Sequence, residues 1–162
     1  MSSVGALQLE SNSKLRINFN GGDLSSDSGL LLIKEFAHKF GFHKHISQFK
    51  TDENIKRIHK DHQNLSQLVY QMIAGYFNDD DADELTNEPI FKSILEKKAL
   101  ASQPTLSRFW NRMDDATLQQ YDEIAKSMRA SAYRIQQPIQ VLLDLDSTLL
   151  NTYGKQEGEG FN

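Results

Sequence analysis

Cysteine is absent from all 162 residues. Disulfide frameworks and zinc sites built on thiolates are therefore excluded. Long apolar runs are missing as well. Nothing approaches the roughly 18 consecutive apolar residues of a membrane-spanning helix, so no membrane partner is expected. The opening residues, Met1-Ser2-Ser3-Val4-Gly5-Ala6, have neither the basic region nor the apolar core of a secretory signal. Together these absences set the expectation of a cytoplasmic protein. What is present, 38% hydrophobic and 25% charged residues, is the balance of a folded globular chain rather than a disordered one. The length allows one domain of ordinary size, or one domain and a piece of another.

The formal net charge is −4, which taken alone disfavours a nucleic-acid partner. Its distribution matters more than its sum. Residues 34–78 hold seven Lys/Arg against four Asp/Glu, and residues 92–135 hold eight against five, so each stretch carries +3. Between them, residues 79–91 hold six acids and no base. Two basic segments flank an acidic knot. The pattern permits DNA binding and is equally that of ordinary solvated helix faces.

Residues 1–13 are small and polar without a period and read as a flexible lead. Leu15-Arg16-Ile17-Asn18-Phe19 alternates apolar and polar residues, a short half-buried strand closed by the turn Asn20-Gly21-Gly22. Ser25, Ser26 or Asp27 can cap a helix carrying Leu30, Leu31, Ile33, Phe36, Ala37 and Phe40, and Gly41 stands where a left-handed terminator is wanted. A core helix is expected over 65–77, then one begun by Pro89 with Ile90, Phe91, Ile94 and Leu95 inward. Ser102-Gln103-Pro104-Thr105 reads as cap, spacer and start of a helix burying Leu106, Phe109 and Met113. Asp114 or Asp115 caps a long last helix with Leu118, Tyr121, Ile124, Ala125 and Met128 inward.

Two clusters invite a metal and match no ligand pattern. His38, His43, His45, His59 and His62 lack the spacing and the glutamate of His-Glu-x-x-His, so structural or surface histidines are the better reading. The run from Asp79 to Glu84 lacks the glycine and distal glutamate of a calcium loop, and acids there suit the positive end of a helix.

After Pro138 the pattern switches. Ile139-Gln140-Val141-Leu142-Leu143-Asp144-Leu145 is mostly apolar and β-compatible, as in a strand buried on both faces. Asp144 and Asp146, two apart on a strand, project from one face, where either or both could ligate Mg²⁺. Val141-Leu142-Leu143-Asp144-Leu145-Asp146-Ser147-Thr148-Leu149-Leu150 resembles the first motif of haloacid-dehalogenase-like phosphatases, in which Asp144 would be nucleophile and Asp146 acid/base with Mg²⁺. That motif normally opens its domain, and its usual glycine is Ser147 here. A phosphatase fragment, or a non-catalytic helical interaction module, stands as the alternative.

A second resemblance covers most of the chain. Asp146-Ser147-Thr148 is similar to the first-aspartate motif of DDE transposases. The block from Gly75-Tyr76-Phe77 to Asp83-Glu84-Leu85 resembles a block of the insertion-sequence transposases of the thirteen-eighty group. So do Asn87-Glu88-Pro89, Leu100-Ala101-Ser102-Gln103-Pro104-Thr105-Leu106-Ser107-Arg108, and Gly154-Lys155-Gln156-Glu157-Gly158 with Phe161-Asn162. Glu88 replaces an aspartate and Trp110 stands where an acid is common. Blocks in the correct order are more specific than any one of them.

The resemblance implies a mainly α N-terminal domain with a short β-strand near its start, followed by the first strand of an incomplete RNase H-like α/β domain. The expected divisions are a lead over 1–13, a helical DNA-binding and assembly domain over 14–135, and the start of a truncated catalytic domain over 136–162. It implies Mg²⁺ or Mn²⁺ held by three carboxylates in the full-length enzyme, with Asp146 as catalytic and metal-binding residue and Asp144 as its alternative. The other two carboxylates have no counterpart up to Asn162, so this chain alone is expected to be inactive and to hold no metal stably. The implied partner is double-stranded DNA, the terminal inverted repeats of the element, with possible self-association. Thr105, Ser107, Arg108 and Arg112 on a recognition helix are the expected DNA contacts, Arg108 foremost because its fork suits guanine or phosphate. No glycine marks the turn before that helix, a departure from the usual helix-turn-helix.

Overall fold

A computed structural model of the chain describes residues 5–21, 27–51, 56–78 and 80–145. They form seven helices and one small sheet, a mainly helical architecture. Strand β1 (Ala6–Gln8) pairs antiparallel with β2 (Arg16–Asn18), placing Leu7 opposite Ile17. Both of these face the core, and Leu9 beyond them is 1% exposed. Within the stretch 1–13 expected to be a flexible lead, residues 6–8 form this strand. A lone strand cannot satisfy its backbone, and β1 supplies the ladder that β2 needs.

Helix α1 (Leu30–Phe40) ends at Gly41, whose φ of 77° is the left-handed conformation that its sequence position suggests. Its start is capped differently from expectation. Ser25 and Ser26 lie outside the described residues. Asp27, itself at φ 55°, turns its carboxylate to the Tyr76 hydroxyl at 3.0 Å rather than to a helix amide. Within α1 the buried Glu35 accepts the Ser11 amide at 2.9 Å, fastening the hairpin loop to the helix. That hydrogen bond holds the Glu35 carboxyl down to about 2 against the opposing effect of burial.

The short α2 (Phe42–Ile46) leads to α3 (Asp61–Ala74), which begins four residues earlier than its apolar period suggests. Polar residues extend it: the Gln63 side chain accepts the Lys60 amide at 3.1 Å, one half of a capping box. Gly75, at φ 91°, stops it before Phe77, which is left exposed. Then come α4 (Asp81–Glu84), a 3₁₀ turn (Leu85–Asn87), α5 (Pro89–Leu95), α6 (Gln103–Trp110) and α7 (Asp115–Ile135). Among the described residues no helix is long and apolar enough to cross a membrane.

Three apolar clusters meet along α3. Tyr70 joins Leu9, Leu30, Leu31, Phe91 and Ile94, while Leu65 joins Ile46, Phe49 and Phe109. Leu68 touches the second cluster and a third, made of Ala82, Ala101 and Leu106. Helix α7 packs by Tyr121 and Ile124, with Thr117 and Ser131 buried. Leu118 and Ala125, expected inward, face solvent. The inward positions 117, 121, 124, 128 and 131 keep helical spacing, and at the first turn Thr117, which closes a capping box with Asp114, is buried in place of Leu118.

The strand expected over 139–145 is not formed. These residues have no regular secondary structure, and Leu142, Leu143 and Leu145 are more than 80% exposed. A strand buried on both faces needs a partner on either edge, and among the described residues the only sheet is β1–β2.

Candidate nucleic-acid interface

Helix α6 is held from behind so that one face is left outward. Leu106 and Phe109 are 1% and 0% exposed and fix the inner face on α3 and α4. The fully buried Gln67 of α3 donates to the Ala101 carbonyl and accepts the Ala101 amide, each at 2.8 Å, locking the backbone that enters the helix. The Asp83 carboxylate accepts the Gln103 amide at 2.8 Å, satisfying the first donor of α6 from twenty residues away. Ser102 stands at the N-cap position with extended backbone, but its hydroxyl meets the Thr105 hydroxyl at 3.2 Å instead of an amide. The turn between α5 and α6 contains no glycine. Glu96, at φ 56°, takes the left-handed position instead.

The outward face is Pro104, Arg108 and Asn111, spaced i, i+4, i+7, with half-buried Thr105 on one flank and Ser107 on the other. Arg108 is exposed, and its guanidinium lies back along the helix, 3.4 Å from the Thr105 hydroxyl. Three of the four expected DNA contacts therefore share one accessible surface. Arg112 does not join them in the expected way. Its guanidinium donates to Asp61 Oδ1 at 2.8 Å, to the Thr51 hydroxyl at 2.9 Å and to the Arg108 carbonyl at 2.7 Å, and lies 5.8 Å from the Phe109 ring centre. Asp61 is buried and also accepts the Thr51 amide and hydroxyl, both at 2.9 Å. Burial alone would raise the Asp61 carboxyl. The Thr51 amide and the Arg112 guanidinium outweigh it and hold the group below the usual carboxylate range. Arg112 is committed to an internal ion pair because an unpaired buried carboxylate is far costlier than an unpaired exposed arginine.

Gln67 and Asp83, which set the pose of α6, escape a reading of the sequence. Asp83 is one acid in a run of several, and Gln67 follows a helical period without marking itself as buried. Trp110, 43% exposed and with its ring centre 5.7 Å from that of Phe109, is the last residue of the same helix.

Of the paired aspartates, Asp144 is exposed on the irregular segment, and Asp146 lies outside the described residues. Among the described residues no three histidine or acidic side chains converge as a metal site would require. The donors described do not make up a divalent-cation site.

Comparison with known proteins gives one family. The model of the transposase DDE domain, group 1, matches residues 7–162. No curated protein matches the chain, and no solved structure does. Transposases act on DNA, and those of the DDE type generally use divalent metal ions. The match takes in the helical region as well as the aspartate-bearing segment. The chain belongs to the DDE transposase family.

Proposed function

We propose that this chain serves insertion-sequence transposition, as a member of the thirteen-eighty group, and that its helical region, residues 14–135, binds the terminal inverted repeats of the element. The observation that carries this reading is the outward face of α6, whose Arg108, Thr105 and Ser107 are presented by a helix immobilised on its other side. Phosphate and base-edge contacts need such a face: donors at the surface, with their backbone fixed so that ordering on DNA costs little. Arg112 acts as a positioning residue, bonding the Arg108 carbonyl at 2.7 Å while anchored on Asp61. Residues 136–162 begin an RNase H-like catalytic domain in this reading, with Asp146 as its first carboxylate and Asp144 as the alternative. Divalent ions in such a domain supply charge stabilisation at the phosphodiester under attack. Self-association belongs to the same proposal, since transposition joins two element ends.

Fluorescence anisotropy on inverted-repeat duplexes tests the DNA contact. Affinity should fall steeply with salt, and Arg108→Ala should reduce it about tenfold and lower the salt slope by roughly one. Equal binding by Arg108→Ala and the parent chain would remove α6 from the interface.

A further inference from the structure

A cavity of about 370 Å³ opens between α1, α2, the start of α3 and the segment after α5, on residues distinct from the α6 face. Its size is that of a small-ligand pocket. Cations and imidazoles dominate its polar lining. Lys34 and His38 stand one turn apart on α1, His43 comes from α2, His62 from the first turn of α3, and Lys97 from beyond α5. Glu96 is the one acid of the lining, and Lys34 pairs with it at 3.1 Å. Lys97 is half-buried, and its neighbour is an imidazole: Nζ lies 2.8 Å from Nδ1 of His59. Among the described residues no ion pair joins Lys97 to a carboxylate. The His43 and His62 rings meet edge to face at 5.8 Å. Basic and imidazole side chains thus outnumber the single lining acid, Glu96, which Lys34 engages, and the buried Asp61 of the same helix turn as His62 is itself paired with Arg112.

From this cluster we propose that the cavity is an oxyanion site, taking a phosphate group on Lys97, His43 and His62. The arrangement suits a tetrahedral anion better than a metal ion. Lys97 would repel a cation, whereas a phosphate gains charge-assisted hydrogen bonds from Lys97, which has no ion-pair partner among the described residues. Burial pushes the Lys97 amine down to about 8, and burial, then His43, then Lys60 and Lys97 lower His62 against the opposing effect of Asp61. Both directions report chiefly that burial penalises the charged form, a penalty that a bound anion would offset. The same chemistry is offered by free inorganic phosphate and by the phosphodiester backbone of DNA.

Histidine ring resonances of the full chain, titrated at constant ionic strength with inorganic phosphate against chloride, test this. The His43 and His62 signals should shift saturably toward the imidazolium position. Lys97→Gln should weaken the binding about tenfold, and Lys97→Arg should largely retain it. The exposed His43→Gln provides an independent variant should Lys97→Gln misfold, and it should weaken phosphate binding as well. A duplex without the inverted repeat distinguishes the sources. If it moves the same signals and phosphate competes with it, the ligand is backbone phosphate. If only inorganic phosphate moves them, the ligand is the free ion. Unmoved or unsaturable signals, or equal binding by Lys97→Gln, overturn the proposal. Arg108→Ala should leave phosphate binding unchanged, so the pocket and the α6 interface can fail separately.

Discussion

The ion pair between Arg112 and Asp61 provides the sharpest test of how this fold is held. Arg112→Ala removes three hydrogen bonds and leaves the Asp61 carboxylate, 5% exposed, with the two Thr51 donors and Arg57 at 3.6 Å. Removing one partner of a buried pair costs about 3–5 kcal/mol, and the surviving partners place this case near the lower end, about 3 kcal/mol. With a urea slope of roughly 2 kcal/mol per molar, the unfolding midpoint should fall by about 1.5 M at pH 7. Circular dichroism across a urea series measures it.

The pH dependence supplies a second, independent check. Asp61 is depressed in the folded state from an ordinary value of 3.8. A depressed carboxylate stabilises the fold fully above its unfolded value, and that contribution is lost as pH falls through the folded value. The gap between Arg112→Ala and the parent chain should therefore narrow below about pH 4, as Asp61 becomes neutral. A loss under 1 kcal/mol, or a gap that stays constant from pH 7 to pH 3, would refute the assignment of Arg112 to the fold.

Three further outcomes are expected. Gln67→Leu orphans both polar groups of Ala101 in the interior and should cost about 2–4 kcal/mol; a midpoint unchanged in urea would contradict the clamp. Asp83→Ala, which removes the acceptor at the start of α6, should cost about 1 kcal/mol and speed amide exchange at Gln103, and unchanged exchange there would refute the cap. Glu35 contributes stability above its ordinary value of 4.5 that is lost as pH falls toward about 2. Protection of the Ser11 amide should fade across that window, and Glu35→Gln should flatten the profile.

How much of this was legible in the sequence varies with the kind of signal. Apolar period and terminators located α1, α5, α6 and α7, and Gly41 and Gly75 mark helix ends by backbone necessity. Long-range polar bonds, such as those of Gln67 to Ala101 and Gln103 to Asp83, left no such trace. Local polar boxes also shift the ends: Gln63 folds back on Lys60 at the α3 start, and Thr117 closes a box with Asp114 where Leu118 is 60% exposed. Strand β1 is too short for alternation to show, and only its pairing with β2 defines it. Within the site, Arg108 was readable as an outward arginine. Arg112 was not readable as a structural one, because its partners Asp61 and Thr51 lie 51 and 61 residues away. The apolar run at 139–145 shows the converse limit. Its composition suits a strand, but composition supplies no neighbouring strand, and the ladder is what makes one.

The acidic knot resolves the objection that a net charge of −4 raises against a DNA partner. Three of its six acids are engaged with backbone amides: Asp81 with Asn78 at 3.0 Å, Glu88 with Phe91 at 2.9 Å and Asp83 with Gln103 at 2.8 Å. Each of these bonds fixes a turn or a helix start, and the last fixes α6 itself. Of these three, only Asp83 lies at the start of α6, while Asp81 and Glu88 act at the starts of α4 and α5, away from Arg108 on the outer face. A phosphate approaching the outer face meets a cation whose scaffold is stabilised by the acids that the net charge counts against it. Electrostatic attraction to DNA is decided within about a Debye length of the contact, roughly 8 Å at physiological salt, and not by the sum over the chain. Replacing Asp83 with Asn keeps an oxygen acceptor for Gln103 and removes the charge. DNA affinity should then change by less than threefold while α6 stays folded, the amount expected for one screened surface charge. A tenfold gain would mean that the acidic knot opposes the DNA directly and that the two charges are not separated by the helix.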